Sequence, residues 1–264
     1  MASTRIWDGA GLVPVNASER GRREIAARPA ERAPDVETLF TFMRDAELRF
    51  TTLRIRIEER TMTARGEHLV ASDLLLRHPG DARVITTEPG RGTTGNYELW
   101  LSDGEIVRTY SAVHKLGTRR PVRHVIRGLA GADAHDFPGT ARVYSPLTPL
   151  PMETLPDTFI HPAGYCQNVL STGRCWISGS DTVAGRPAIL LECAHPRTTE
   201  VHADRPDFHI QVAVDRADGV ILRLIEWIGG DVTRHADVVA YAPNAPIPAA
   251  TFDFEFPAET SMLY

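Results

Sequence analysis

Ten histidines and three cysteines are the residues from which chemistry would most readily be built, and their spacing decides how much of it to expect. Cys193 and His195 stand two apart, on one face of a strand, with His202 and His209 farther along, a donor mix that zinc accepts. Pro196 and Pro206 make the intervening stretch a loop, and no C-x-x-C or H-x-x-x-H spacing accompanies it, so no metal site is expected. Glu192, Asp204, Asp207 and Asp215 are of the types used in general acid–base catalysis, but linear spacing alone makes them solvated strand or loop charges. A small-molecule enzyme using the His195–His209 region stays open as an alternative. Gly90-Arg91-Gly92-Thr93-Thr94-Gly95 matches G-x-G-x-x-G, yet the residues from Asn96 alternate as a strand where a dinucleotide site opens a helix. No Walker sequence and no G-x-S-x-G is present, and no cofactor is expected.

Aromatic residues form the second candidate set. Trp100, Tyr110, Trp176, Phe208, Trp227 and Tyr241 fall on candidate strands, and Phe40 and Met43 on a candidate helix. Together they are the residues expected to line a ligand-holding concave face, although sheet and core packing accounts for each singly.

The elements that must position these groups follow from hydrophobic period. Asp35 can cap a helix whose Val36, Leu39, Phe40 and Met43 share one face, ending near Leu48. Then Leu53, Ile55 and Ile57 alternate with Arg54, Arg56 and Glu58, the period of a strand with one wet face. Further strands are expected over 68–76, 83–87, 96–102 and 105–111, the last two joined by the hairpin signal Asp103-Gly104. Prolines 121, 138, 146, 149, 151 and 156 make 114–158 a loop-rich crossing. A short helix interrupted at Pro162 is expected over 157–170, followed by strands near 175–178, 185–193, 208–215, 220–228, 233–241 and 252–256. Ten or so strands argue for one curved antiparallel sheet or half-open barrel covered by one or two helices, a mainly β fold with some α. Residues 1–34 carry few large apolar groups and are expected to be a loosely ordered arm before a single domain over 35–264.

With 264 residues and 42% hydrophobic content, the chain can bury a core. A net charge of -5 argues against nucleic acid as a partner, and the Arg119, Arg120, Arg123, His124 cluster reads as a solvated loop. No apolar run is long enough for a transmembrane helix, and no signal-type segment opens the chain, so a cytoplasmic location is expected as the sequence stands. Cys166, Cys175 and Cys193 are then free thiols, with a Cys166–Cys175 bridge an option only on export.

The order of parts resembles the LolA-like superfamily of periplasmic lipoprotein carriers, outer-membrane lipoprotein receptors and RseB/MucB regulators of the sigma-E stress response. The residues carrying the resemblance are the helix 35–48 leading into Thr52-Leu53-Arg54-Ile55-Arg56-Ile57, and the Asp103-Gly104 hairpin. They continue with Gly185-Arg186-Pro187, Asp215 to Leu222, and Asn244-Ala245-Pro246-Ile247-Pro248 before Phe252-Asp253-Phe254. The resemblance spans roughly 35–257 and implies a half-open barrel whose concave face holds acyl chains or a peptide, in a cell-envelope setting. The expected function is non-catalytic: a carrier or sensor of a hydrophobic, lipid-like molecule. The alternative is a regulatory protein that binds a partner polypeptide such as an anti-sigma factor.

Overall fold

The computed structural model describes residues 4–7, 12–15, 25–29, 34–64, 66–89, 95–122, 146–152, 154–196 and 207–263. The expected helix forms as α1 (Val36–Arg44), where Asp35 accepts the Thr38 N–H at 2.7 Å and Leu39, Phe42 and Met43 are buried. It ends earlier than expected, because a 3-10 turn, Ala46–Arg49, takes over its last stretch. Ahead of it, β1 (Thr4–Trp7) and β2 (Leu12–Val15) pair as a separate two-stranded ribbon. The Ala26 N–H reaches Asp45 at 3.0 Å and Arg28 reaches the Ala217 carbonyl at 3.1 Å, so part of the expected arm is held to the domain.

Among the described residues, twelve strands form one sheet. The first meander is β3 (Thr52–Thr63), β4 (Gly66–Arg77), β5 (Asp81–Thr87), β6 (Glu98–Asp103), β7 (Ile106–Ser111) and β8 (Leu116–Pro121). Asp103 sets the β6–β7 turn by accepting the N–H groups of Glu105 and Ile106 at 3.0 and 2.7 Å. The second meander is β9 (Arg174–Val183), β10 (Arg186–Ala194), β11 (Phe208–Asp215), β12 (Ile221–Ile228) and β13 (Asp231–Pro243). The two halves join at the centre, where β13 pairs antiparallel with β3 across a register shift at Val238/Ala240. At one edge β14 (Ser261–Leu263) adds in parallel to β8; at the other, β9 ends the sheet.

Of the expected 114–158 crossing, Leu116–Pro121 is instead strand β8 and 123–145 lie outside the described residues; its end and the stretch after it form two short helices, α2 (Leu155–Ile160) and α3 (Pro162–Asn168). Pro162 starts a new helix rather than continuing the first, since it has no N–H to give one. One strand expectation is corrected. Residues 253–257 carry no strand hydrogen bonding: after a 3-10 turn, Ala249–Phe252, they lie extended against Tyr110. Phe254, Phe256 and Tyr97 there cover Leu99, Leu101 and Tyr110. The main core sits on the opposite face, where α1, α2 and α3 cover Leu53, Ile55, Ile57, Val212, Val214 and their neighbours.

Candidate functional site

On the helix-covered face the strand registers line up a small set of side chains. Glu59 stands opposite Val70, Ser72 opposite Thr86, Val84 opposite Trp100 and Trp100 opposite Thr109. Because partners across a ladder share a face, these residues of β3 to β7 form a common floor. Arg234 of β13 joins them at one end. Pro151, Thr154, Leu155 and Pro156 form the roof, and the space between is a cleft of ≈ 430 Å³.

The roof is held by buried polar groups. Thr154 donates to the Pro151 carbonyl at 2.7 Å, and the Leu147 N–H reaches Glu47 at 3.0 Å. His161, between α2 and α3, is fully buried with Nδ1 2.9 Å from Asp157 and Nε2 3.3 Å from Glu47. Burial opposes its charge, but the Asp157 hydrogen bond and the Glu47 carboxylate outweigh it and raise the imidazole to about 9. It is therefore a cation near neutral pH, clamped between two acids. His78 Nδ1 pairs with Thr148 at 2.8 Å, and Thr148 also accepts the Gly80 N–H at 2.9 Å. Burial pushes His78 down to about 4, so it stays neutral.

At its charged end the cleft holds Arg234, 2.5 Å from Glu59 and 3.6 Å from Glu226. Burial works against the guanidinium charge, and Glu59 and Glu226 more than restore it. The Ser72 and Thr86 hydroxyls lie 3.5 Å apart, while Thr109 pairs with Thr118 at 2.7 Å. Apolar groups from Trp100, Val70, Val84, Leu99, Leu155 and the two prolines thus share the lining with hydroxyls, Glu98 and the Arg234 ion pairs. This arrangement offers contact area and orientation. Among the described residues no three His, Cys, Asp or Glu side chains converge as a metal site.

Of the eight residues expected to line the ligand face, Trp100 alone lines this cleft. Phe208, on the sheet, and Met43, on α1, are buried in the main core, and Phe40 of α1 packs against it. Tyr241 lies under the Arg186 guanidinium, 4.5 Å from ring centre to Cζ, and its hydroxyl donates to Asp218 at 3.1 Å. Tyr110 faces the opposite side, under Phe254 and Phe256. Trp176 and Trp227 are also on that opposite side, flanking His209 at 5.8 and 5.5 Å. The physical reason is register: His209 is directly opposite Trp227 and Ala194, on the face away from buried Ile210 and Cys193.

The same register separates the His195–His209 region. Cys193 points into the core, His209 binds Glu192 at 2.5 Å on the outer face, and His195 lies just past β10 at φ 56. His202 and Asp204 lie outside the described residues, as do Gly90 to Thr94 and the Arg123, His124 pair. The chain after Gly95 enters β6, a strand, as its alternation requires. Sequence reasoning missed Val70, Ser72, Thr86 and Thr109, whose only signal was their place on alternating strands. It also missed Pro151, Leu155 and Pro156, hidden in a proline-rich stretch.

No protein-family model matches the chain, and no curated protein matches it in sequence. Among solved structures it is similar to an uncharacterized conserved protein from Thermus thermophilus, at 11% identity and TM-score 0.47, covering 85% of this chain and 96% of that one. It is similar to MucB at 16% identity and TM-score 0.46, covering 84% of this chain and 63% of MucB, so it spans less than two thirds of that protein. It is also similar to a LolA superfamily protein from Nitrosomonas europaea, at 12% identity and TM-score 0.34, covering 84% of this chain and 99% of that one. No residue role is carried from these proteins to this chain.

Proposed function

We propose that the chain is a non-catalytic binding protein that holds an amphipathic, largely apolar molecule in the cleft under Pro151–Pro156. One observation carries the reading: the ≈ 430 Å³ space lies on the helix-covered face and is walled by Trp100, Val70, Val84 and Leu155. Ligand clefts of about 300–1,000 Å³ with apolar walls and few polar groups take drug-sized or acyl-chain ligands. The Arg234–Glu59 pair and the hydroxyls at the floor give such a molecule's polar end somewhere to lie.

Titration with a fluorescent fatty acid tests this. Saturable binding in the micromolar range is expected, weakened about tenfold by Trp100→Ala, since a lost aromatic contact costs about 1.4 kcal/mol. Trp176→Ala and Trp227→Ala, on the outer face, should bind as the parent does. Absence of saturable binding, or equal weakening by all three, would remove the reading.

A second reading rests on the sheet edge. Among the described residues β9 has β10 as its one hydrogen-bonded neighbour, and most of its side chains are exposed. A partner polypeptide adding as a strand would use that row of backbone groups. Hydrogen exchange of 174–183 with and without a candidate partner distinguishes it from the cleft reading.

A further inference from the structure

Three cysteines converge on the end of α3, and their geometry is uneven. Cys175 and Cys193 are direct partners across the β9–β10 ladder. Opposed residues of an antiparallel pair have Cα atoms about 4.5–5.5 Å apart, within the span a disulfide needs. Both sulfurs are gathered on one acceptor: Cys175 Sγ lies 3.0 Å and Cys193 Sγ 3.3 Å from the Leu170 carbonyl oxygen. Gly173 is required beside them, because a Cβ there would meet Cys193 Sγ at 2.6 Å. Cys166 is turned the other way, donating to the Met43 thioether at 3.7 Å. Among the described residues the pair belongs to no group of three metal-ligating side chains.

We propose that Cys175 and Cys193 are a redox-active dithiol, closing to a cross-strand disulfide by exchange with a low-molecular-weight disulfide such as oxidised glutathione, while Cys166 stays a thiol. Half-buried Cys175 is the attacking sulfur; the neighbouring Cys193 thiol holds it below the ordinary thiol range, and the same pairing, with burial, pushes Cys193 up. The Cys175 thiolate attacks one sulfur of the small disulfide, whose S–S bond breaks, and the departing thiolate takes up a proton. Cys193 then attacks the Cys175 sulfur of the mixed disulfide and expels a second small thiol, which takes the Cys193 proton. The protein loses two S–H bonds and two electrons, and the small disulfide becomes two thiols. The disulfide has no S–H to offer the Leu170 carbonyl, which keeps the Gly173 N–H at 3.1 Å. The 3-10 turn Leu170–Thr172 that follows α3 is thereby left with one fewer class of donor on its first carbonyl.

The test uses the full chain incubated with oxidised glutathione, then denatured, alkylated and mapped by mass spectrometry. The expected result is one titratable thiol, assigned to Cys166, and a peptide cross-linked through Cys175 and Cys193. Cys193→Ala should instead trap one glutathionyl group on Cys175, and Cys166→Ala should leave the cross-link intact. Three unmodified thiols, a lasting mixed disulfide in the parent chain, or a Cys166–Cys175 link would each overturn the proposal.

Discussion

His161 and His78 share Glu47 as a neighbouring carboxylate, yet the bonds to Asp157 and Glu47 keep His161 charged against its burial, while burial leaves His78 neutral. Their stability effects therefore run in opposite directions with pH. His161 is raised to about 9 from an unfolded value near 6.5, so its contribution is full below 6.5 and disappears as pH rises through 9. His78 is lowered to about 4, so its contribution is full above 6.5 and is lost as pH falls towards 4. Each is worth about 3 kcal/mol at most. Urea unfolding between pH 5 and pH 9.5 should show a maximum near pH 6.5. His161→Gln should flatten the alkaline side and His78→Gln should shallow the acid side. Unchanged slopes in both variants would sink this account.

Among the elements, α1 offers the simplest test, because its cap is a single side chain. Asp35→Ala removes the acceptor of the Thr38 N–H and should lower the urea midpoint with an unchanged slope. Elements such as this were legible because their signals are local: a cap before an amphipathic turn, or Leu53, Ile55 and Ile57 in strict alternation. The 252–256 stretch has the same alternation and is no strand. Alternation reports two different environments, and Phe254 and Phe256 find one by packing on Tyr110 without any ladder. The site was less legible for a related reason. Period two says that Trp227 and Leu224 face opposite ways but not which faces the helices; only the β11 register, placing Trp227 against His209, decides it. The roof at Pro151–Pro156 was unreadable because its position comes from Glu47, His161 and Thr148, which are far apart in the chain.

For the molecule as a whole, the two sheet edges are treated differently. The β8 edge is closed by β14 and by Phe256, which packs where Gly117 has no side chain: a Cβ there would meet Phe256 Cε1 at 2.7 Å and Thr260 Cγ2 at 2.8 Å. Gly117→Ala should therefore displace the C-terminal segment and expose Tyr110, making 250–263 an early site of protease cleavage while the main core melts nearly as before. Full protection of that segment in the variant would show that it docks by other contacts. The β9 edge has no such cover among the described residues; the bulge at Leu190/Leu191 distorts its ladder and so blunts it.

The pairing of β3 with β13 bears on how the chain emerges from the ribosome. β3 to β8 follow one another in sequence, so that half of the sheet can assemble as soon as it is made. The strand that completes its inner border begins roughly 110 residues later, on the order of five to twenty seconds of synthesis. Throughout that interval β3, with Leu53, Ile55 and Ile57 on one face, is the open margin of a nascent half-sheet. Its intervening Arg54, Arg56, Glu58 and Arg60 keep the margin charged, and those side chains deter two unfinished chains from joining there before β13 arrives.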